Sequence, residues 1–338
     1  MKKWLKKRFQ SFFGILILKE YIEQIISDLN NLNIKVHKLE QNDTLPILYK
    51  KIEEINTRQI QTLQQKETLT ILEEKIEEIS HDTEKSTRLI NQVFDIVLKK
   101  NHSSVFWGDR LLSLDKTMGF RQEPKFKTAH YEIIGSHQYD QYNQDAGIAW
   151  RLHTLVWAAK NGLNLPGDFV ECGVFKGDMS WVIAQCLDFE KVSKTFYLYD
   201  TFNGFSEKYS STEDFPENSQ LFEIADKIYK DPNLYEYVKN RFNPYSNVKV
   251  IKGVVPDTFL EESPSQIAFL HIDLNSPAPE IGVLNNLFDR VVSGGMIIFD
   301  DYGWLPFKKQ KVAEDQWMAQ RGYSILELPT GQGLVVKR

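Results

Sequence analysis

The spacing of apolar positions divides the chain into two regimes. Residues 19–100 hold no Gly and a single Pro, Pro46, with a helical run on either side of it. In the first run Ile25, Leu29, Leu32, Val36 and Leu39 are spaced 4, 3, 4, 3. In the second, Leu69, Leu72, Ile76, Ile79, Thr83, Ser86, Ile90, Val93 and Val97 alternate 3 and 4 throughout. That is a heptad seam with two polar positions in its middle, flanked by Glu73, Glu74, Glu77 and Glu78. Carried backwards, the seam weakens at Gln65, Thr62 and Arg58 before it reaches Ile55. Asp43 or Thr44 can cap the second helix, with Pro46 in its first turn. A coiled coil needs a partner, so residues 45–100 predict an oligomerisation stalk. A helical hairpin folding back on its own chain is the other reading.

From about residue 101 the pattern changes, and Gly, Pro, Trp and Tyr become frequent. Ala146 to Asn161 predicts an amphipathic helix stopped by Pro166-Gly167. Strand-like runs follow at Phe169 to Val174, Thr195 to Tyr199, Val248 to Ile251, Ile267 to Ile272 and Met296 to Phe299, with helical stretches between. Tyr323 to Leu328 and Leu334 to Lys337, joined by Pro329-Thr330-Gly331-Gln332-Gly333, predict a closing hairpin. This alternation predicts an α/β domain with a mostly parallel sheet over residues 101–338.

Composition narrows the picture. The 338 residues are 42% hydrophobic, 12% aromatic and 26% charged, which is ordinary for a globular chain and excludes wholesale disorder. The formal net charge of −5 does not suit general nucleic-acid binding. Two cysteines, Cys172 and Cys186, cannot make a disulfide framework and fit a reducing, cytoplasmic setting. Both read as packing residues. The charge is unevenly placed: Lys2, Lys3, Lys6, Lys7 and Arg8 precede the first acid, Glu20, and alternate with Trp4, Leu5, Phe9, Phe12 and Phe13. The apolar run that follows is too short to span a bilayer, which takes about 20 residues. Residues 1–44 thus predict a basic amphipathic helix. Residues 1–18 either lie on an anionic membrane surface, at the inner face, or pack on another helix.

Candidate chemistry sits at strand ends. The first strand of the sheet runs into Glu171-Cys172-Gly173-Val174-Phe175-Lys176-Gly177. Glycines at a strand-to-helix turn allow close approach to the backbone. An acid there suits a ligand with a cationic amino group better than a pyrophosphate, and S-adenosylmethionine is such a ligand. The second strand ends in Tyr199-Asp200-Thr201-Phe202, where Asp200 can accept both hydroxyls of a ribose. Asp273, Asp300 and Asp301 close two further strands. Three carboxylates together repel unless protonated or bound to a cation, and an oxygen-only set favours Mg²⁺. A turn-capping role for Asp300 or Asp301 is the alternative.

Together these residues resemble a class I S-adenosylmethionine-dependent methyltransferase. Within that class the chain is similar to the macrocin O-methyltransferase-like (TylF/MycF) family over about residues 130–338. The resemblance is carried by Leu165 to Val174, Tyr199-Asp200-Thr201-Phe202-Asn203-Gly204-Phe205, His271-Ile272-Asp273, Asp300-Asp301-Tyr302-Gly303 and Leu328 to Leu334. It implies a Rossmann-like seven-stranded α/β sheet with helices on both faces and an antiparallel last strand, here preceded by the long helical coiled-coil region. It also implies Mg²⁺-assisted methyl transfer to a hydroxyl of a sugar, glycan or glycosylated metabolite.

On that resemblance Glu171, Gly173, Val174 and Gly177 would shape the methionine pocket. Asp200, with Thr201 and Phe202, would hold the ribose, and Gly253 and Val254 would lie near the adenine. Asp273, Asp300 and Asp301 fall on metal-binding positions. One departure is Asn275, where better-known members carry a second acid. As general base we single out His137, in the stretch Gly135 to Asp140 before the core, where a lid could close. His271, on a strand, reads as a packed core residue, and His153 as either. Two other functions compete: a coiled-coil scaffold with a degenerate catalytic half, and a metal-dependent hydroxylase, which would want His ligands for iron.

Overall fold

The computed structural model describes residues 99–108, 111–134, 147–217 and 220–338. The basic N-terminal segment, the heptad seam and His137 lie outside the described residues. Among the described residues no helix is long and apolar enough to cross a membrane.

A two-stranded antiparallel ribbon, β1 (Val105–Gly108) and β2 (Leu111–Leu114), comes first. The apolar pattern did not announce it. Helices α1 (Pro124–Ile133) and α2 (Ala149–Gly162) lead into strand β3 (Asp168–Cys172) and α3 (Asp178–Leu187). Then follow β4 (Phe196–Asp200), α4 (Leu221–Tyr229), α5 (Leu234–Phe242), β5 (Val248–Lys252) and β6 (Ile267–Ile272). The chain ends with α6 (Pro277–Leu287), β7 (Val291–Phe299), α7 (Lys308–Ala319), β8 (Leu326–Glu327) and β9 (Gly333–Val336).

Seven strands form one sheet in the order β5-β4-β3-β6-β7-β9-β8. The five strands from β5 to β7 are parallel, and β9 runs antiparallel between β7 and β8. This is the class I methyltransferase sheet. The expected strands are all present with ends shifted by a residue or two, except β8, which is confined to Leu326–Glu327 within the expected Tyr323 to Leu328, and β7. It starts at Val291 rather than Met296, because Gly294 (φ 83°) and a register shift against β6 carry the strand through Ser293-Gly294-Gly295.

Alternation along the strands separates two cores. Phe169, Phe196, Leu198, Phe269 and Ile298 face the helices α1, α2, α3 and α5. Val170, Cys172, Tyr199, Leu270, Ile272, Ile297 and Phe299 face α6 and α7. A parallel sheet covered on both faces has near-continuous apolar strands, and all six residues of β6 are buried.

The chain winds outward through β4 and β5 and then returns to place β6 beside β3. Such a reversal opens a crevice at the carboxyl ends of the strands. Backbone bonds continue across that end. Gly253 N–H donates to Asp200 O (2.9 Å), Gly173 N–H to Tyr199 O (2.8 Å), Asp273 N–H to Cys172 O (2.8 Å) and Asp300 N–H to Ile272 O (2.9 Å). The strand-end residues singled out in the sequence therefore stand in one row.

Candidate active site

A cavity of about 380 Å³ opens over this row. Its walls include Glu171, Gly173, Val174, Asp200, Thr201, Gly253, Val254, Asp273, Asp300 and Asp301. Two expected cofactor residues do not line it. Phe202, in a left-handed conformation (φ 48°), turns its ring into the core, 5.4 Å from the Tyr235 ring. Gly177 (φ 73°) caps α3, and a Cβ there would come within 2.8 Å of the Phe242 ring. Both shape the turn from behind, because the chain must reverse tightly between strand and helix.

The β3–α3 turn is organised by Asp200. Its Oδ2 accepts the N–H groups of Val174 (2.7 Å) and Phe175 (2.8 Å), and its Oδ1 accepts that of Phe202 (2.6 Å). The Thr201 hydroxyl bonds to Gly204 O at 2.6 Å and only grazes Asp200 Oδ1 at 3.5 Å. A carboxylate offers about four acceptor sites. Oδ2 is filled and Oδ1 has room for one further donor, so Asp200 can take one ribose hydroxyl rather than two.

Gly173 (φ 88°) is glycine for a steric reason: a Cβ would stand 1.8 Å from the carbonyl oxygen of Asp273. The close approach is made by the protein's own backbone and pins the β3 and β6 ends together.

Behind Gly173 lies a polar chain inside the sheet. Glu171 and His271 are register partners on β3 and β6 and share the face of Phe169 and Phe269. His271 Nδ1 lies 2.8 Å from Glu171 Oε1, and the Ser180 hydroxyl donates to Glu171 Oε2. His271 Nε2 is 3.6 Å from Asp300 Oδ1. Burial opposes a charge on His271, but Asp300 and Glu171 outweigh it and raise its pKa from 6.5 to about 10. His271 thus lies buried between the acid of β3 and the acid after β7, both of which favour its protonated form. Its place in the core was expected; its two acidic partners were not.

Asp300 is fully buried, and both of its oxygens are engaged. Gln332 Nε2 donates to Oδ1 (2.9 Å) and Arg151, on α2, to Oδ2 (2.5 Å). Arg151 also lies 3.4 Å from Asp301 Oδ1 and 5.5 Å from the Trp304 ring centroid. Burial works against ionised Asp300, yet Arg151, His271 and Gln332 hold its carboxyl well below the usual range. Nothing in the sequence singled out Arg151 or Gln332. Arg151 is on the amphipathic helix α2 and Gln332 in the turn before β9, and only the fold brings them to the strand ends.

Ligand atoms of Asp273, Asp300 and Asp301 lie within 4.8 Å of one another. Burial, then the charges of Asp300 and Asp301, push the Asp273 carboxyl well above its ordinary range. Around this corner the carboxylates of Glu171, Asp273, Asp300 and Asp301 face the cations Arg151 and His271. The all-oxygen donor set fits Mg²⁺.

Opposite the acids the wall is apolar. Helix α4 has no buried residue, and it turns Leu221, Ile224 and Ile228 toward the cavity. Phe205 and Phe222 stack (5.1 Å) and hold the helix to the loop after β4, with Phe215 beside them (5.6 Å). His153 stacks on Phe120 at 4.0 Å, a packing role.

A family model described as Macrocin-O-methyltransferase (TylF) matches residues 56–323. A demethyldecarbamoylnovobiocin O-methyltransferase of Streptomyces niveus is 26% identical over 162 residues, covering 45% of this chain and 59% of the relative. An 8-demethyl-8-(2,3-dimethoxy-alpha-L-rhamnosyl)-tetracenomycin-C 4'-O-methyltransferase of Streptomyces olivaceus is 26% identical over 159 residues, covering 45% and 60%. The chain thus spans about three fifths of the length of these curated relatives. Among solved structures, the O-methyltransferase NovP is 22% identical, with a TM-score of 0.47, covering 61% of this chain and 88% of that one.

Proposed function

The chain belongs to the macrocin-O-methyltransferase (TylF) family, and from that membership we propose that it transfers a methyl group from S-adenosylmethionine to a hydroxyl of a sugar or glycosylated acceptor. The observation that carries the reading is the acidic corner: three convergent carboxylates at the topological switch point, tied by His271 to the acid of β3. S-adenosylmethionine supplies the methyl on a sulfonium, a good leaving group. In that transfer the acceptor oxygen would take the methyl as S-adenosylhomocysteine departs, and the hydroxyl proton would pass to a base. Mg²⁺ held by Asp273, Asp300 and Asp301 would polarise the acceptor hydroxyl.

The chain's own residues bind and orient. Gly173 and Val174 border the methionine end, Asp200 Oδ1 takes a ribose hydroxyl, and Gly253 and Val254 wall the adenine side. The Leu221, Ile224 and Ile228 row gives the acceptor an apolar contact beside the reacting hydroxyl. His137 is our candidate base. The heptad seam holds the enzyme as an oligomer, and the basic N-terminal segment touches an anionic membrane surface from the cytoplasmic side. The carboxylate ligand set supports Mg²⁺ chemistry over iron hydroxylation.

Calorimetry tests the core of this reading. S-adenosylhomocysteine should bind saturably to the wild-type protein, and Mg²⁺ should bind to the wild type but not to Asp273→Asn. Absence of S-adenosylhomocysteine binding under every metal condition would establish the scaffold reading instead.

A further inference from the structure

The contact between α6 and α7 contains a buried polar group that packing does not require. Val283, Leu284 and Leu287 meet Trp317 and Met318 in an apolar interface. Yet Glu280 and Glu314 are fully buried beside it, and Gln310 is 1% exposed. Burying such groups is costly unless they are engaged.

Glu280 is engaged with the turn that follows β6. Its Oε1 accepts the N–H groups of Leu274 (3.1 Å) and Asn275 (3.2 Å). Asn275 is left-handed (φ 59°), and its Nδ2 donates to Asp273 Oδ1 at 3.3 Å. The start of α6 explains why this carboxylate reaches backwards. Pro277 and Pro279 occupy the first turn and carry no N–H, so two of the donors a helix N-terminus usually offers are missing. The nearest donors are those of the preceding turn.

We propose that Glu280 is a positioning residue, which fixes the Asp273-Leu274-Asn275 turn and so sets where the Asp273 carboxylate points, with Glu314 and Gln310 holding Glu280 from behind. The inference rests on the reading of Asp273 as a metal ligand and extends it to the residues that support the ligand. The second oxygen of Glu280, both oxygens of Glu314 and both amide atoms of Gln310 make no aligned hydrogen bond among the described residues. They are nonetheless close enough to interact. Burial, then Glu314, pushes the Glu280 carboxyl well above the usual range, and burial raises Glu314 too. Two buried carboxyls facing each other share a proton. A proton on the second oxygen of Glu280, turned toward Glu314, leaves Glu280 Oε1 as the acceptor for both N–H groups. Supporting groups of this kind orient ligands and tune metal affinity.

The test uses full-length protein and three variants, Glu280→Ala, Glu280→Gln and Glu314→Gln. Mg²⁺ and S-adenosylhomocysteine are each titrated by calorimetry, and exchange of the Leu274 and Asn275 amides is followed. Glu280→Ala should weaken Mg²⁺ binding by roughly 10- to 100-fold, speed exchange at both amides and leave S-adenosylhomocysteine affinity unchanged. Glu280→Gln should recover most of the Mg²⁺ affinity, since its amide oxygen accepts the same two N–H groups. Glu314→Gln should stay near wild type, its amide oxygen accepting the shared proton as the carboxylate does. Wild-type Mg²⁺ affinity and exchange in Glu280→Ala would overturn the proposal. So would equal loss of both ligands without rescue by glutamine, the mark of a purely structural role. A wild-type protein that binds no Mg²⁺ would overturn the metal reading itself, and the two amides then still decide whether Glu280 holds the turn.

Discussion

At Gly173 a hundred residues of chain separate cause from effect. The glycine is visible in the sequence, but its reason is the Asp273 carbonyl, which only the β3–β6 pairing brings to it. Replacing Gly173 by Ala forces a Cβ into that carbonyl and places a non-glycine residue at φ 88°. Strain of this kind costs about 1–3 kcal/mol before the clash is added, so a loss of at least about 3 kcal/mol is expected in chemical denaturation. A loss under about 1 kcal/mol would remove the steric account. Asp200 shows the same limit of legibility. Its place at a strand tip was readable, whereas its bonds to Val174 and Phe175 depend on β3 and β4 being neighbours. Glu171 and His271 go further. Each stands in phase with the apolar residues of its own strand, and nothing local says that the two strands pair with these positions opposite.

Elements were the most legible level. Strands buried on both faces are continuous apolar runs, and β3, β4 and β6 were readable for that reason, whereas the edge strand β5 showed through its β-branched Val248, Val250 and Ile251. The β1–β2 ribbon escaped because four-residue strands give too little pattern, and the start of β7 because Ser293-Gly294-Gly295 resembles a break. Helix α4 is amphipathic with its apolar side toward a cavity, so periodicity alone would have assigned that side to a core. The heptad seam belongs to this scale as well. Lysine at two seam positions, Ile76→Lys with Ile79→Lys, should lower the solution mass by light scattering to that of one 39.4 kDa chain. An unchanged oligomeric mass would assign self-association to another surface, and a monomeric wild type would favour the hairpin.

For the molecule as a whole, the buried charges should write themselves into its pH dependence. His271 has a folded pKa of about 10 against an ordinary 6.5. Its contribution to stability is therefore complete below pH 6.5 and lost as pH rises through about 10. Between these values folding takes up a proton, and stability should fall by at most about 1.4 kcal/mol per pH unit from this group. Denaturation midpoints measured in chelator should decline across that window in the wild type and flatten in His271→Gln. A level wild-type curve would contradict a charged His271.

Arg151 gives the acidic corner a resident counter-ion that cannot diffuse away. Its guanidinium bridges Asp300 and Asp301, so the sheet keeps a neutralising partner whether or not a cation has been captured from solution. Foldedness and catalytic readiness are thereby separated. The acidic corner can fold on the protein's own guanidinium, and a cation taken up by Asp273, Asp300 and Asp301 would then serve chemistry rather than architecture.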